Sequence, residues 1–198
     1  MIKVNPISIK GDWDDGYALD MHTISSDFIG YDDYNHYQNE RTPLGELLYQ
    51  LKYHNNVAVV GDIADVAIEF IRFSWKIRID LIIPVPPSNT NRPIQPVEAI
   101  VNVIGWKLGI PILNNALKKI KDTRQLQAKN ITDQQERTDI LKDAFQVVDH
   151  SIENKNVLLF DDLYGSGTTL KIITNVLKKN AKPNRVYVLT CTKKRASS

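Results

Sequence analysis

A single cysteine, Cys191, leaves this chain no disulfide framework and no cysteine-based zinc site. Long apolar runs are also missing. The longest, such as Leu81–Pro87 and Val157–Phe160, fall far short of the roughly 20 residues that span a bilayer. The opening residues, MIKVNPISIK, lack the charged-then-apolar design of a signal peptide. Neither sign of charge is in large excess. With 25 basic and 23 acidic residues the net charge is +2, which implies neither nucleic acid nor membrane as a partner. The four histidines (His22, His36, His54, His150) show no metal-ligand spacing and read as surface or structural residues. No repeat or low-complexity tract is present. These absences leave a reduced, cytoplasmic protein as the expectation. Its 198 residues, 42% of them hydrophobic, suit one globular domain with a real core.

The first forty residues differ from the rest. Ile2–Ile9 and Tyr17–Ile24 alternate and are joined by GDWDDG, which predicts two strands around a turn. Phe28–Tyr37 is aromatic and acidic, with no helical period. The expected division is a small N-terminal hood over residues 1–40 and a core domain over 41–198. In the core, Thr42-Pro43 is a helix start, and Leu44, Leu47, Leu48 and Leu51 carry that helix to about Tyr53. Asp62 is a candidate cap for a second helix. Ile79–Val85 reads as a strand, Val97–Leu108 as a helix stopped by Gly109, and Ile110–Leu113 as a short strand. Asn114–Asp143 is a polar candidate loop. Ala144–Val148, Val157–Phe160 and Arg185–Cys191 read as strands, and Thr168–Lys179 as a helix. Strands apolar throughout, alternating with helices, predict an α/β fold: a twisted, mostly parallel sheet with helices on both faces. Ligands in such sheets sit beyond the carboxyl ends of the strands.

Beyond Val157–Phe160 stand Asp161 and Asp162. A carboxylate resists leaving water unless it gains partners, so two in a row should face a polar crevice. Sugar hydroxyls are good donors to them, and a hydrated divalent cation is another partner. Gly165, Ser166, Gly167, Thr168 and Thr169 then lead into a helix. The glycines let the backbone turn tightly and approach a ligand. The helix start offers unbonded N–H groups and a dipole worth about 0.3–1 kcal/mol to an anion. An acid pair followed by an anion loop describes a site for a phosphorylated sugar. A Walker loop would need Lys where Thr168 stands, and the dinucleotide fingerprint a third glycine where Leu170 stands.

VLLFDDLYGSGTT resembles the phosphoribosyl pyrophosphate (PRPP) motif of type I phosphoribosyltransferases. The resemblance implies that Asp161 and Asp162 hold the ribose 2′- and 3′-hydroxyls. It implies that Gly165, Ser166, Gly167, Thr168 and Thr169 hold the 5′-phosphate. Tyr164 is larger than the aliphatic residue usual in the motif. Gly165 stands where Thr, Ser or Asp is common, so the general base that some purine-salvage members carry there is absent. LLYQLKYHNN, IIPVPPSNTNRP and DTRQLQAKNITDQQERTDILKDAF are similar to the early helix, the pyrophosphate loop and the flexible loop of the competence-protein-F-like branch. That branch usually begins with a cysteine zinc site, which this chain lacks.

The resemblance implies transfer of a 5-phosphoribosyl group from PRPP to a nitrogenous acceptor, with release of pyrophosphate and with Mg2+ as cofactor. The acceptor has no motif. The same fold serves regulators that bind PRPP without turnover, so a PRPP or nucleotide sensor, or an accessory protein of a DNA-uptake-like system, is the alternative. Members are commonly homodimers, but the sequence shows no interface. Ser88, Asn89 and Arg92 follow a strand, and their N–H groups and guanidinium suit a pyrophosphate; a Pro-rich surface turn is the plainer account. Lys118, Lys119, Lys121, Arg124, Lys129 and Arg137 suit either a basic lid, with Arg124 as its foremost group, or a solvated surface. Trp13, Tyr17, Tyr31, Tyr34 and Tyr37 suit either base stacking from the hood or packing of a hairpin.

Overall fold

Val157–Phe160 has no polar residue for either face of a sheet, so it belongs where both faces are covered. In the computed structural model it forms most of a central strand, β8 (Asn156–Tyr164), with all four side chains buried. The described residues are 2–28, 37–120, 144–149 and 151–195. Eight further strands surround β8: β1 (Ile7–Ser8), β2 (Asp15–Met21), β3 (Thr23–Phe28), β4 (Tyr37–Arg41), β5 (Leu81–Pro84), β6 (Leu117–Lys119), β7 (Phe145–Val147) and β9 (Arg185–Lys193). The main sheet has the order β1-β2-β9-β8-β5. Its β2–β9, β9–β8 and β8–β5 pairs are parallel, and only β1 runs antiparallel to its neighbour. This is the mostly parallel α/β sheet that the apolar strands predict.

Among the described residues four α-helices cover it: α1 (Pro43–His54), α2 (Val60–Glu69), α3 (Pro96–Leu108) and α4 (Thr168–Asn180). Alternation along β8 sends Leu158 and Phe160 to one face and Val157 and Leu159 to the other. Leu158 and Phe160 pack with Leu48 and Leu51 of α1, Ile63 of α2 and Ile100 and Ile104 of α3. Val157 and Leu159 pack with Leu170, Ile173 and Leu177 of α4 and with Leu117 and Phe145. The helix after β5 therefore lies on one face and the helix after β8, its neighbour, on the other. Chain paths that diverge in this way open a crevice at the strand ends.

The N-terminal segment is divided between two sheets. β1 and β2 form the expected hairpin, but β2 is also a full member of the main sheet beside β9. Only β3 and β4 pair apart from it. Thr42 caps α1 as its sequence predicts: its Oγ1 accepts from Gly45 N at 3.0 Å and donates to Met21 O at 2.7 Å, tying the helix start to the end of β2.

Asp62 is not a cap. It lies in the first turn of α2, which continues directly from a 3-10 turn at Val57–Val59 capped by Asn56. Ile110–Leu113 contributes a single bridge, Ile112 to Ile82, in place of a strand. β7 pairs antiparallel with β6 as a separate ribbon. Within the polar segment 114–143, residues 121–143 lie outside the described residues. No helix among the described residues is long and apolar enough to cross a membrane.

Candidate functional site

A cavity of about 460 Å³ occupies the crevice beyond β5 and β8. Its walls come from the residues after those two strands, the ends of α1 and α3, Lys119, Phe145 and the first turn of α4. Asp161, Asp162, Gly165, Ser166, Gly167, Thr168 and Thr169 all line it. Ser88 and Arg92 line the opposite wall. Asn89 does not; its side-chain oxygen accepts from Asn91 N at 3.0 Å and shapes its own turn. Arg124 lies outside the described residues.

The turn into α4 places hydroxyls and backbone N–H groups together. Gly167 is the N-cap, in the left-handed region at φ 78°, and no side chain caps the helix. The hydroxyls of Ser166 and Thr168 lie 2.9 Å apart. Thr168 N donates to Ser166 Oγ at 3.5 Å, and the other first-turn N–H groups have no carbonyl acceptor within the helix. A second helix start, α3 at Pro96, lines the same space and also lacks a side-chain cap. A methyl group added at Gly167 would sit 2.6 Å from Tyr164 Oη, on a backbone that L side chains rarely adopt. Gly167→Ala is therefore expected to lower stability by about 1–2 kcal/mol and to weaken phosphate binding, as unfolding and calorimetric titrations would show.

The acid pair is not symmetric. Lys52, in the last turn of α1, places its Nζ 2.6 Å from Asp162 Oδ2. The two side chains are only 18% and 13% exposed, so water screens this pair weakly. Burial opposes the Lys52 charge, but the charge and hydrogen bond of Asp162, with Asp161 behind it, outweigh burial and hold the ammonium above its ordinary range. Among the described residues no cation forms an ion pair with Asp161. Its Oδ1 accepts from Asp162 N at 2.8 Å. Burial first and the Asp162 charge second push its pKa up to about 8, against the Asp162 N–H and Lys52. Burial and the neighbouring charge both favour the neutral form of Asp161. The charged side chains lining the cavity are Lys52, Arg92 and Lys119 together with Asp161, Asp162 and Glu98.

No family model matches the chain, and no curated protein matches it. Solved structures do show similarity at low identity. The glutamine PRPP amidotransferase from B. subtilis, complexed with ADP and GMP, is 19% identical over 78% of this chain, with a TM-score of 0.49. The match covers 34% of the amidotransferase, so this chain spans about a third of that protein's length. A hypothetical protein from Neisseria gonorrhoeae with bound ppGpp is 17% identical over 74% of this chain and 72% of its own, with a TM-score of 0.43. A hypoxanthine phosphoribosyltransferase from Staphylococcus aureus is 18% identical over 69% of this chain and 68% of its own, at 0.42.

Three groups stand in or behind the crevice that sequence reasoning did not place there. Lys52 is the first. Its signal was its position four residues after Leu48, on the buried stripe of α1, where a lysine needs a partner. Gln95 is the second. Its Nε2 donates to Asn89 O and Arg92 O at 3.2 and 3.5 Å and holds the loop of residues 88–92. Its Oε1 is buried with no partner among the described residues. His22, just past β2, is the third. Its Nδ1 lies 3.1 Å from Thr192 Oγ1, and burial, followed by Lys52 and Arg41, holds its pKa below the usual range despite Asp162. Cys191 is buried under the acid pair, which adds to burial in keeping it a thiol.

The magnesium that the family resemblance implies finds no seat built from protein alone. Among the described residues no three His, Cys, Asp or Glu side chains gather as metal ligands. The Asp162 oxygen that faces the pair is already held by an ammonium.

Proposed function

We propose that the crevice binds the ribose 5-phosphate part of PRPP and that the chain transfers the 5-phosphoribosyl group to a nitrogenous acceptor, releasing pyrophosphate. The observation that carries this reading is one cavity holding both halves of the ligand's chemistry. Acceptors for sugar hydroxyls, Asp161 and Asp162, sit on the same wall as an uncapped helix start with two adjacent hydroxyls. Asp161 and Asp162 orient the ribose, and Gly165 to Thr169 anchor the 5′-phosphate. Across the cavity, Arg92 and the N–H groups near Ser88 face the leaving pyrophosphate, and the N-terminus of α3 adds to them. As the bond to pyrophosphate breaks, positive charge grows on the anomeric carbon and negative charge on the leaving group. Positioning the first and neutralising the second are what this chain's residues supply.

Calorimetric titration of PRPP into wild type and into Asp161→Asn/Asp162→Asn tests the reading. The double variant is expected to lose binding altogether. Binding that survives both substitutions sinks the site assignment. A binding-only role is favoured by one observation: Gly165 opens onto empty space, and no side chain there can take a proton from an acceptor. Pyrophosphate release across a panel of nitrogenous bases separates the two roles, because a sensor binds PRPP yet releases none.

A further inference from the structure

A carboxylate pair meant to share a divalent cation with its ligand must keep oxygen lone pairs available. Magnesium demands near-octahedral oxygen ligands at about 2.0–2.1 Å and parts with its waters reluctantly. Here an ammonium already occupies the pair. Lys52 Nζ lies 2.6 Å from Asp162 Oδ2, and the Asp161 Oδ1 atom is engaged by Asp162 N at 2.8 Å. The lysine is fixed in place. Leu44, Leu48 and Leu51 bury α1 against the sheet, and Lys52 stands in the helix's last turn, where the dipole favours a cation. A fixed ammonium also repels a second cation at that distance.

We propose that Lys52 is the built-in counter-cation of the Asp161–Asp162 pair, so that the crevice takes a sugar phosphate with no divalent ion bound to the protein. This rests on the sugar-phosphate reading of the site and makes Lys52 a positioning residue for it: the ammonium holds Asp162 in a set orientation for the ribose hydroxyls.

Two probes test this on the full chain. Ribose 5-phosphate is titrated by calorimetry in EDTA and in excess Mg2+, with wild type, Lys52→Met and Lys52→Arg. Water-proton relaxation follows Mn2+ with the same proteins and with Asp162→Asn. Wild-type affinity is expected to be the same in both buffers, and Lys52→Arg is expected to follow it. Lys52→Met should lose about tenfold in EDTA, as for one charge-assisted hydrogen bond, and recover part of it in Mg2+. Mn2+ should bind Lys52→Met and leave wild type alone. A wild type that needs Mg2+, or that binds Mn2+ and loses it with Asp162→Asn, overturns the inference and leaves the sugar-phosphate reading standing. Lys52→Met binding as wild type does in EDTA overturns it too. Ribose 5-phosphate that binds in neither buffer removes both. The wild-type arms decide the matter even where Lys52→Met does not fold.

Discussion

Asp162→Ala is expected to destabilise the protein by about 3 kcal/mol at pH 7, the low end for breaking a buried ion pair. The cause is Lys52, left as an ammonium at a site only 18% exposed with its partner gone. Asp161 cannot fully take over, since burial opposes a charge on its carboxyl. Combining Lys52→Met with Asp162→Leu should restore most of the loss, because a buried pair replaced by apolar groups of similar volume is often neutral. Urea unfolding of wild type, Lys52→Met, Asp162→Leu and the double variant closes a double-mutant cycle, and a coupling of at least about 1.5 kcal/mol is expected. An Asp162→Ala protein within about 0.5 kcal/mol of wild type would mean that water screens the pair as it screens a surface bridge.

The same pair shows what could be read from the sequence and what could not. The strand, the acids and the turn lie in one contiguous segment. An apolar run that ends in two carboxylates and a glycine loop names its own surroundings, because each residue type is costly anywhere else. The divergence of α3 and α4 to opposite faces followed from helices alternating with apolar strands. Lys52 is different: it meets Asp162 only because β8 and α1 pack together, a contact between distant parts of the chain. Its place on the leucine stripe signalled burial but not its partner. The second pairing of β2 was hidden for a related reason. A hairpin announces itself through its turn, whereas the parallel pairing of Asp15–Met21 with β9 leaves no local mark. Asp62 misled because its side chain suits a cap, while the helix had already begun within the preceding turn. Asn89 suited a pyrophosphate by its position after a strand, yet the structure uses its oxygen within the turn.

The second large effect is expected in the pH dependence of stability. Asp161 has a folded-state pKa of about 8 against an ordinary value of 3.8. Between those values the folded protein holds a proton that the unfolded chain has lost, so the unfolded state binds fewer protons and stability falls as pH rises. This contribution is fully present below about pH 4 and gone above about pH 8. Each unit of separation corresponds to about 1.4 kcal/mol, and halving the total for solvent at a partly exposed carboxyl leaves about 3 kcal/mol. Other groups titrate over the same range, so the decisive quantity is wild type minus Asp161→Asn. The amide keeps an acceptor for Asp162 N but carries no proton that ionises. Urea unfolding of both proteins at pH 4.5, 6, 7.5 and 9 (about one and a half units apart) should show wild type losing stability relative to the variant across that window. Parallel profiles would place Asp161 among ionised carboxylates at neutral pH.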